Sequence, residues 1–320
     1  ISMKYSDTKI VALCGGIGGS KLALGLNNVL DQKNLSIITN TGDDFLYLGF
    51  YICPDIDTVI YTLAGVNNTE TGWGREDETW KTLDVLKELG ADTWFQLGDK
   101  DLALHLFRSK EKRNGELLTT ITRKITNKFG LKTNVLPMSN HPVQTFLETE
   151  DEEMSFQDYF VRNKCKPKVK NILFKSKKPV ATDAVKRSLM DKNLDGIVFC
   201  PSNPYLSIDP ILSIDRIRKL IENQKKPRIA ISPIVGHDSV KGPTSKLMKE
   251  MGVEVSSLSI AKHYKGLIDG IVIDHEDEKE AQKIREMGIE VKLSKIIVET
   301  QEEKMRLAKE SLEFIKEIGS

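Results

Sequence analysis

The chain has 320 residues, 39% hydrophobic and 29% charged, which is enough apolar material for a sizeable core. Its formal net charge of +1 argues against a protein that binds nucleic acid or anionic membranes through its overall field. The four cysteines lack the paired spacing of a zinc site, and neither a secretory signal nor an apolar run of roughly 18 to 20 residues is recognised. We therefore expect a cytoplasmic protein whose partners include neither nucleic acid nor membrane.

A predicted buried strand and a glycine-rich segment come first. Lys9 to Cys14 is a short apolar run, and G-G-I-G-G-S-K follows it at 15–21 before a helical pattern begins. Glycines between a strand and a helix let backbone N–H groups approach an anion at the helix N-terminus. The segment fits neither the Walker pattern nor G-x-G-x-x-G, whose third glycine position falls on Lys21. It predicts phosphate binding without NAD, or, alternatively, glycines needed only for close helix packing.

An acidic stretch at 40–58 follows the second predicted strand, Leu35 to Thr39, and precedes a predicted helix, Asp57 to Ala64. Its four carboxylates are Asp43, Asp44, Asp55 and Asp57. In open α/β sheets the ligand crevice lies at the carboxyl ends of the strands. Carboxylates placed there can hold Mg²⁺ while a substrate phosphate supplies further oxygens. The alternative is that they are solvated loop acids, with Asp57 capping the helix.

Two more polar segments come next. G-W-G-R-E-D-E-T-W at 72–80 brackets an arginine and acids with two tryptophans, which can either stack on an aromatic ligand or anchor the loop. A strand is predicted over Trp94 to Leu97, and L-G-D-K-D at 97–101 leads into a helix that carries His105. Because its neighbours are apolar, His105 is expected to be a hydrogen-bonded structural residue.

The rest of the chain alternates predicted strands with helices. Helical periodicity covers Glu116 to Phe129 and Glu302 to Ile318, and the predicted strands are Asn134 to Met138, Val143 to Glu148, Gly196 to Cys200, Arg228 to Ser232, Gly270 to Asp274 and Glu290 to Leu293. This alternation predicts an α/β fold with a Rossmann-like doubly wound, mostly parallel sheet. We expect one domain with a core of about 8–138 and 196–320. An α+β subdomain is expected to be inserted at about 139–195.

The polar segments together suit a phosphate-bearing nucleotide and a divalent metal. P-S-N-P at 201–204 and S-P-I-V-G at 232–236 follow strands and carry groups that can hydrogen-bond a base or sugar, and Lys241 and Lys246 can meet phosphate charge. No serine–histidine–acid or cysteine–histidine arrangement stands out, which disfavours covalent hydrolysis. Phosphoryl-type transfer needs mainly positioning and charge neutralisation, and these residues can supply both.

Several of these segments, in the same order, resemble the 2-phospho-L-lactate transferase family of coenzyme F420 biosynthesis, including its bacterial branch that uses phosphoenolpyruvate. The matching segments are G-G-I-G-G-S-K-L, N-T-G-D-D, C-P-D-I-D-T-V-I-Y-T-L, G-W-G-R-E-D-E-T-W, L-G-D-K-D-L-A-L-H-L, L-P-M-S, P-S-N-P, S-P-I-V-G and K-G-P. The resemblance spans nearly the whole chain. The tryptophan segment looks more like the bacterial branch, although Glu76 departs from the usual residue after the arginine.

The resemblance implies a reaction and a set of site residues. The ribityl hydroxyl of the deazaflavin Fo would attack a guanosine diphospho-acid, giving F420-0 or its dehydro form plus GMP, with Mg²⁺ required. It also suggests a homodimer. Asp57 and Lys100 match positions associated with Fo, and Trp73 or Trp80 is expected to line the deazaflavin pocket. The phosphate and guanosine side is assigned to Gly15, Gly16, Gly18, Gly19, Ser20, Lys21, Ser202, Asn203, Ser232, Gly236 and Lys246.

The aspartates have two open roles. Asp44 and Asp57 are the candidates for orienting the attacking hydroxyl, and together with Asp43 they are the candidates for binding the metal. The sequence does not distinguish which aspartate has which role.

Two other functions compete with the transferase. A nucleotide-binding regulator similar to the gluconeogenesis-factor relatives would keep the glycine segment and the acids. It has no need for the segments at 72–80 and 97–106, which favours the transferase. A nicotinamide-dependent oxidoreductase is disfavoured by the broken glycine pattern and by the lack of an acid at the end of the second strand. Whether phospholactate, phosphoenolpyruvate or phosphoglycerate is carried stays open.

Overall fold

The computed structural model describes residues 5–320. Its strands are β1 (Ile10–Cys14), β2 (Leu35–Thr39), β3 (Phe45–Tyr47), β4 (Phe50–Ile52), β5 (Asn134–Pro137), β6 (Gln144–Thr149), β7 (Glu153–Ser155), β8 (Val169–Lys175), β9 (Gly196–Phe199), β10 (Arg228–Ile231), β11 (Ile234–Val235), β12 (Asp238–Ser239), β13 (Gly270–Ile273) and β14 (Glu290–Leu293). Its α-helices are α1 (Gly16–Val29), α2 (Pro54–Ala64), α3 (Lys81–Glu88), α4 (Asp99–Arg113), α5 (Leu118–Lys128), α6 (Asp183–Leu189), α7 (Asp209–Leu212), α8 (Asp215–Glu222), α9 (Thr244–Glu250), α10 (Ser257–His263), α11 (Ala281–Arg285) and α12 (Gln301–Gly319).

Seven parallel strands form the central sheet, in the spatial order β14-β13-β10-β9-β1-β2-β5. The chain winds outward from β1 through β2 to β5, then crosses back to β9 and winds outward in the other direction. The predicted doubly wound α/β fold is therefore confirmed. Such sheets bind ligands where the strand order reverses, here between β1 and β9.

Both faces of the sheet are covered, which explains why its strands are continuous apolar runs. Successive residues of β1 alternate between two cores. Val11 and Leu13 belong to one core, and Ile10, Ala12 and Cys14 belong to the other. The second core includes the buried face of α12, which packs against α1. The Cys14 and Cys200 side chains are buried, as expected of small hydrophobic residues.

Three local predictions differ from the structure. The predicted strand at 94–97 is wrong, because this segment is irregular and its aromatic rings pack on the β3–β4 hairpin, with Trp94 and Tyr47 centred 5.4 Å apart. Helix α1 begins at Gly16, so most of the glycine segment forms its first turn. Helix α2 begins at Pro54, which places Asp57 inside the first turn instead of at the cap.

The predicted insertion at 139–195 contains a separate three-stranded antiparallel sheet in the order β7-β6-β8. A π-helical turn, Asp158–Arg162, follows β7. Helix α6, at the end of the same range, contacts β5 and α8 of the main body. Within residues 5–320, no helix is both long and apolar enough to cross a bilayer.

Candidate functional site

The glycine segment lies at the point where the strand order reverses and contacts the loop after β9. The backbone N–H of Gly15 donates to Ser202 Oγ at 3.1 Å. A Cβ on Gly19 would lie 2.0 Å from Ser202 Oγ and 2.9 Å from Cys14 Sγ, and a Cβ on Gly18 would lie 2.9 Å from the Pro201 carbonyl. These glycines are therefore needed for close packing. The N-cap residue of α1, Gly15, makes no side-chain cap, and anion binding by the N–H groups there stays a prediction.

Asp55 contributes to the same junction. A Cβ on Gly15 would lie 2.4 Å from Asp55 Oδ2, and that oxygen accepts a 2.9 Å hydrogen bond from Asn40 Nδ2. The Asn40 amide also donates to the Leu206 carbonyl at 3.3 Å. Asn40 thus ties the end of β2 to α2 and to the π-helical turn Pro204–Ile208 that follows β9.

The acidic stretch is buried, which excludes the reading as solvated loop acids. Asp43, Asp44, Asp55 and Asp57 are each 5–6% exposed. Burial raises the pKa of Asp55 to about 6 and raises the pKa of the other three as well. The charge of Asp55 raises the pKa of Asp43 further. Because burial disfavours the charged form of these carboxyls, the site favours a cation or a hydrogen-bond donor that stabilises their carboxylates.

Arg108 is a site residue that the sequence reasoning missed. Its side chain is completely buried, and its Nη2 forms an ion pair with Asp57 Oδ1. The other terminal nitrogen, Nη1, lies 3.2 Å from His105 Nδ1 and donates to the Tyr51 carbonyl at 3.4 Å. Burial, followed by the charge of Arg108, lowers the pKa of His105 to about 3, so this histidine is neutral. His105 is hydrogen-bonded as expected, but it lies within the acidic site.

Helix α4, which carries Arg108, has a polar buried face. Its buried residues are Asp101, His105, Arg108 and Ser109, whereas Leu106 and Phe107 are 51% and 39% exposed. Ordinary surface helices bury an apolar stripe instead. The hydrophobic pattern of the sequence therefore does not predict that this face is buried. The helical spacing of its polar residues, at i, i+4, i+7 and i+8, is the feature that could have indicated it.

The free oxygens of the acids suit a divalent cation. Asp43 Oδ1, Asp44 Oδ1 and Asp57 Oδ2 are buried without a hydrogen-bond partner among residues 5–320. The same part of the chain contains no cluster of three His, Cys, Asp or Glu residues close enough to hold a metal ion. Mg²⁺ is commonly bound by one or two carboxylates, with substrate phosphates and waters completing its coordination. The donor set therefore fits Mg²⁺ bound together with a phosphate ligand.

A cleft of about 430 Å³ lies beside Asp44. Its lining combines apolar and aromatic side chains with amides and an acid: Thr41, Asp44, Phe45, Leu46, Tyr51, Trp94, Pro142, Gln144, Ser155, Gln157 and Asp158. The Tyr51 hydroxyl donates to Asp44 Oδ2 at 3.3 Å, and Gln157 Nε2 donates to the Asp43 carbonyl at 3.0 Å. This cleft can therefore receive a flat apolar ring whose polar edge meets the acids.

The tryptophan segment and the L-G-D-K-D segment stabilise each other. Glu78 accepts hydrogen bonds from the backbone N–H groups of Lys100 and Asp101 at the start of α4. Asp99 in turn accepts from the Thr79 hydroxyl at 2.5 Å and from two N–H groups at the start of α3. The sequence motifs at 72–80 and 97–101 are therefore reciprocal helix caps.

The predicted deazaflavin residues near these caps lie apart from the cleft lining. The Lys100 ammonium donates to the Glu76 carbonyl at 2.9 Å. The rings of Trp73 and Trp80 are centred 6.4 Å apart in an edge-to-face arrangement, and Trp73 is 44% exposed. A Cβ on Gly72 would lie 3.3 Å from Ile17, so this loop lies against the first turn of α1.

On the predicted guanosine side, the residues after β9 and β10 form two separate groups. Asn203 caps the π-helical turn, because its side-chain Oδ1 accepts from the backbone N–H groups of Tyr205 and Leu206. The Asn203 Nδ2 atom is buried without a partner in the described chain. Ser232 Oγ lies 2.8 Å from Ser257 Oγ. Gly236, with a φ of 62°, donates its N–H to Asp277 at 3.0 Å. Among the described residues of these two loops, Asn203 presents a buried side-chain donor without a partner at the strand-order reversal.

Two of the three predicted phosphate-binding lysines, Lys21 and Lys246, are paired. Lys21 Nζ lies 2.6 Å from Glu299, beside α1. Lys246 Nζ lies 2.5 Å from Glu250 and donates to the Pro167 carbonyl at 3.1 Å, next to the inserted sheet. Ser20 and Lys21 follow Gly19 directly in α1. The Ser20 hydroxyl contacts Thr62 at 3.3 Å.

Comparison with known proteins supports a transferase. Residues 10–313 match the family model described as 2-phospho-L-lactate transferase CofD. The 2-phospho-L-lactate transferase of Methanosarcina mazei is 34% identical over 93% of this chain and 98% of its own length, and that of Methanocaldococcus jannaschii is 36% identical over 95% and 97%. The phosphoenolpyruvate transferase of Streptomyces griseus is 34% identical over 97% of this chain and 99% of its own.

A solved structure supports the fold. The crystal structure of a member of the UPF0052 family from Bacillus halodurans matches with a TM-score of 0.64, covering 95% of this chain and 98% of that one, at 16% identity. This structural match agrees with the seven-stranded sheet described above. The chain therefore belongs to the 2-phospho-L-lactate transferase CofD family.

Proposed function

We propose that the protein transfers a phospholactyl or enolpyruvyl-phosphate group from a guanosine diphospho-acid to the deazaflavin Fo. The ribityl hydroxyl oxygen forms a bond to the phosphorus next to the phospho-acid, and the bond from that phosphorus to the GMP leaving group breaks. The products are F420-0, or dehydro-F420-0, and GMP. The observation that carries this proposal is the set of free, buried carboxylate oxygens beside an aromatic cleft, in a chain of the transferase family.

In this proposal Asp57 orients the attacking hydroxyl, and Asp43 and Asp44 bind the metal. Asp57 Oδ2 is the unpartnered oxygen of a carboxylate whose other oxygen is held by Arg108. It can accept the hydrogen bond of the ribityl hydroxyl and so orient the nucleophile. Asp43 Oδ1 and Asp44 Oδ1 are the ligands proposed for Mg²⁺. When bound, Mg²⁺ would neutralise charge on the phosphates and polarise the reacting phosphorus.

The cleft beside Asp44 is the proposed site of the deazaflavin ring. Its aromatic wall, formed by Phe45, Tyr51 and Trp94, suits a flat heterocycle, and Gln144 and Gln157 can bind the polar edge of the ring. Trp73 and Trp80 are the second candidate, because Trp73 is exposed next to the first turn of α1. The guanosine diphosphate is placed at the start of α1 and at the free amide of Asn203.

The test is GMP release from a guanosine diphospho-acid with Mg²⁺, measured with and without Fo. Release that depends on Fo, together with a new deazaflavin phosphodiester, is the expected result. Comparing phospholactyl and enolpyruvyl donors then identifies the donor, since relatives named for each reaction have nearly equal identity to this chain. If guanosine nucleotides bind but no donor turns over, the protein is a nucleotide-binding regulator instead. The homodimer and the cytoplasmic location stay predictions.

A further inference from the structure

Arg108 contacts the acidic site from α4, the helix whose first turn carries Lys100. Its fully buried guanidinium is held by three partners on three different elements: Asp57 of α2, the Tyr51 carbonyl of β4 and His105 of α4 itself. A guanidinium has five donors in a fixed planar fork and no acceptor. Its geometry therefore determines which atoms of its neighbours must be acceptors.

The first consequence concerns Asp57. Arg108 binds Oδ1 of Asp57 and forms no hydrogen bond with Oδ2. Oδ2 is buried and has no hydrogen-bond partner in the described chain. A buried carboxylate oxygen in this state is open to a ligand.

The second consequence concerns His105. Because an arginine N–H can only donate, the His105 Nδ1 atom 3.2 Å from Arg108 Nη1 carries a lone pair, and the ring proton is on Nε2. The same Nδ1 lies 3.7 Å from Asp57 Oδ2. In this tautomer His105 has no proton to donate to that oxygen. Arg108 thereby prevents its histidine neighbour from occupying the free position of Asp57.

We propose that Arg108 is a positioning residue for the transfer reaction: it binds one oxygen of Asp57 and, by fixing the His105 tautomer, keeps the other oxygen open for the attacking hydroxyl. This inference rests on the proposed function. Helix α4 strengthens the arrangement, because Asp101 binds the Tyr61 hydroxyl of α2 at 2.6 Å and Ser109 binds the Tyr51 backbone N–H at 2.7 Å. The helix is thereby attached to α2 and β4 on both sides of Arg108.

The experiment is a double-mutant cycle on kcat. Arg108→Gln is expected to lower kcat by about 10- to 100-fold, as losing an outer partner of a site residue does, with the KM of the guanosine donor nearly unchanged. In an Asp57→Asn background the same substitution is expected to change kcat less than about threefold, because Arg108 acts through that carboxylate. Arg108→Lys keeps the charge without the fork, and an intermediate kcat is expected. Equal losses of kcat in both backgrounds would overturn the proposal.

Two further measurements keep the outcomes distinct. Arg228→Gln is the matched control, because Arg228 forms another arginine–aspartate pair, with Asp269, at the start of β10; it is expected to leave kcat unchanged. Nitrogen-15 NMR of His105 in the folded wild-type protein is expected to show the Nε2–H tautomer, and the Nδ1–H tautomer would contradict the proposal without an activity assay.

Absence of Fo-dependent turnover in the wild type would refute the proposed function and leave the His105 tautomer as a separate test of the Arg108 geometry. If the Arg108→Gln variant does not fold, the kcat of Arg108→Lys and the His105 tautomer test the proposal in its place.

Discussion

The Tyr61 hydroxyl donates a 2.6 Å hydrogen bond to Oδ1 of Asp101 and joins the two helices on either side of the site, α2 and α4. Burial raises the pKa of Asp101 to about 6, and the charges of Asp57 and Glu78 act in the same direction. Since the folded state holds this proton more tightly than the unfolded chain, Asp101 favours folding below pH 4. That contribution is lost as the pH rises to about 6.

Asp101→Asn is therefore expected to stabilise the protein at neutral pH. A pKa raised by about two units corresponds to about 3 kcal/mol at most, so the variant should gain up to that free energy of unfolding at pH 8 and almost none at pH 4. Urea unfolding at both pH values measures the difference. An equal effect at the two pH values would show that Asp101 is not the titrating group.

The neighbouring Asp99 provides a control of opposite sign. Hydrogen bonds from Thr79 and Thr82 lower the pKa of its carboxyl to about 2. It therefore stabilises the fold above pH 4, and this contribution is lost as the pH falls through about 2. Asp99→Asn is expected to destabilise the protein at pH 8, where Asp101→Asn stabilises it. Both variants are measured in the same unfolding series.

Asp57→Asn is expected to leave the fold intact and to lower turnover by at least about 100-fold, the low end for a positioned catalytic group. Asparagine has nearly the same shape, and its carbonyl oxygen can still accept from Arg108. The amide cannot supply the anionic oxygen that faces the site. GMP release gives the rate, and circular dichroism checks the fold. Near-normal turnover would remove Asp57 from the reaction.

Gly19→Ala is expected to destabilise the protein by about 1–3 kcal/mol, because the new Cβ overlaps Ser202 Oγ and Cys14 Sγ in a packed junction. The measurement is chemical unfolding of the single variant, of Ser202→Ala and of the double variant. Removing the Ser202 hydroxyl relieves the closer overlap, so the double variant should be more stable than the sum of the single effects predicts. Simple additivity would mean that the overlap with Ser202 is not the cause.

The two candidate sites for the deazaflavin ring can be separated with two exposed residues. Leu46 lines the cleft beside Asp44 and is 72% exposed, so Leu46→Ala should fold normally. We expect it to raise the KM of Fo by roughly threefold to tenfold, as losing a few methylene contacts does, and Trp73→Ala to leave that KM nearly unchanged. Steady-state kinetics with Fo varied measures both. The reverse outcome would place the ring against the tryptophans.

Mg²⁺ and the diphosphate ligand are expected to bind together. The acids offer free oxygens but no preformed cluster of three metal-binding side chains in the described part of the chain. Calorimetry should therefore detect only weak Mg²⁺ binding to the protein alone and stronger binding with GDP present. By linkage, Mg²⁺ must tighten GDP by the same factor. Chelation should abolish turnover, and in Asp44→Asn the coupling should shrink. Tight Mg²⁺ binding without a nucleotide would contradict this arrangement.

The sheet could be predicted from the sequence because a fully buried parallel strand carries its signal locally. Runs such as I-V-A-L-C at 10–14 and G-I-V-I at 270–273 are apolar on both faces, which matches the two cores that cover the sheet. The strand predicted at 94–97 failed because aromatic residues favour both strands and irregular segments packed on a hairpin. The four residues at 94–97 do not by themselves distinguish a strand from an irregular segment.

The site could be predicted only in part, for a related reason. Asp43, Asp44 and Asp57 stand out as acids beside a strand end. Arg108, the partner of Asp57, lies 51 residues further along the chain, on a helix whose pattern suggests an ordinary surface element. The burial of the acids and the cleft beside them likewise depend on segments far apart in sequence. Such contacts follow from the assembled fold and not from any local pattern.

The polar buried face of helix α4 lowers the hydrophobic contribution of this helix to the stability of the fold. Its buried polar side chains at 101, 105, 108 and 109 replace the apolar stripe that an ordinary helix buries, and natural proteins give up such hydrophobic stabilisation where function requires polar groups. A homologue that no longer catalyses transfer is free of that requirement, and mutations there would accumulate toward leucine and alanine. The composition of this one helix face should therefore separate active members of the lineage from those that have lost the reaction.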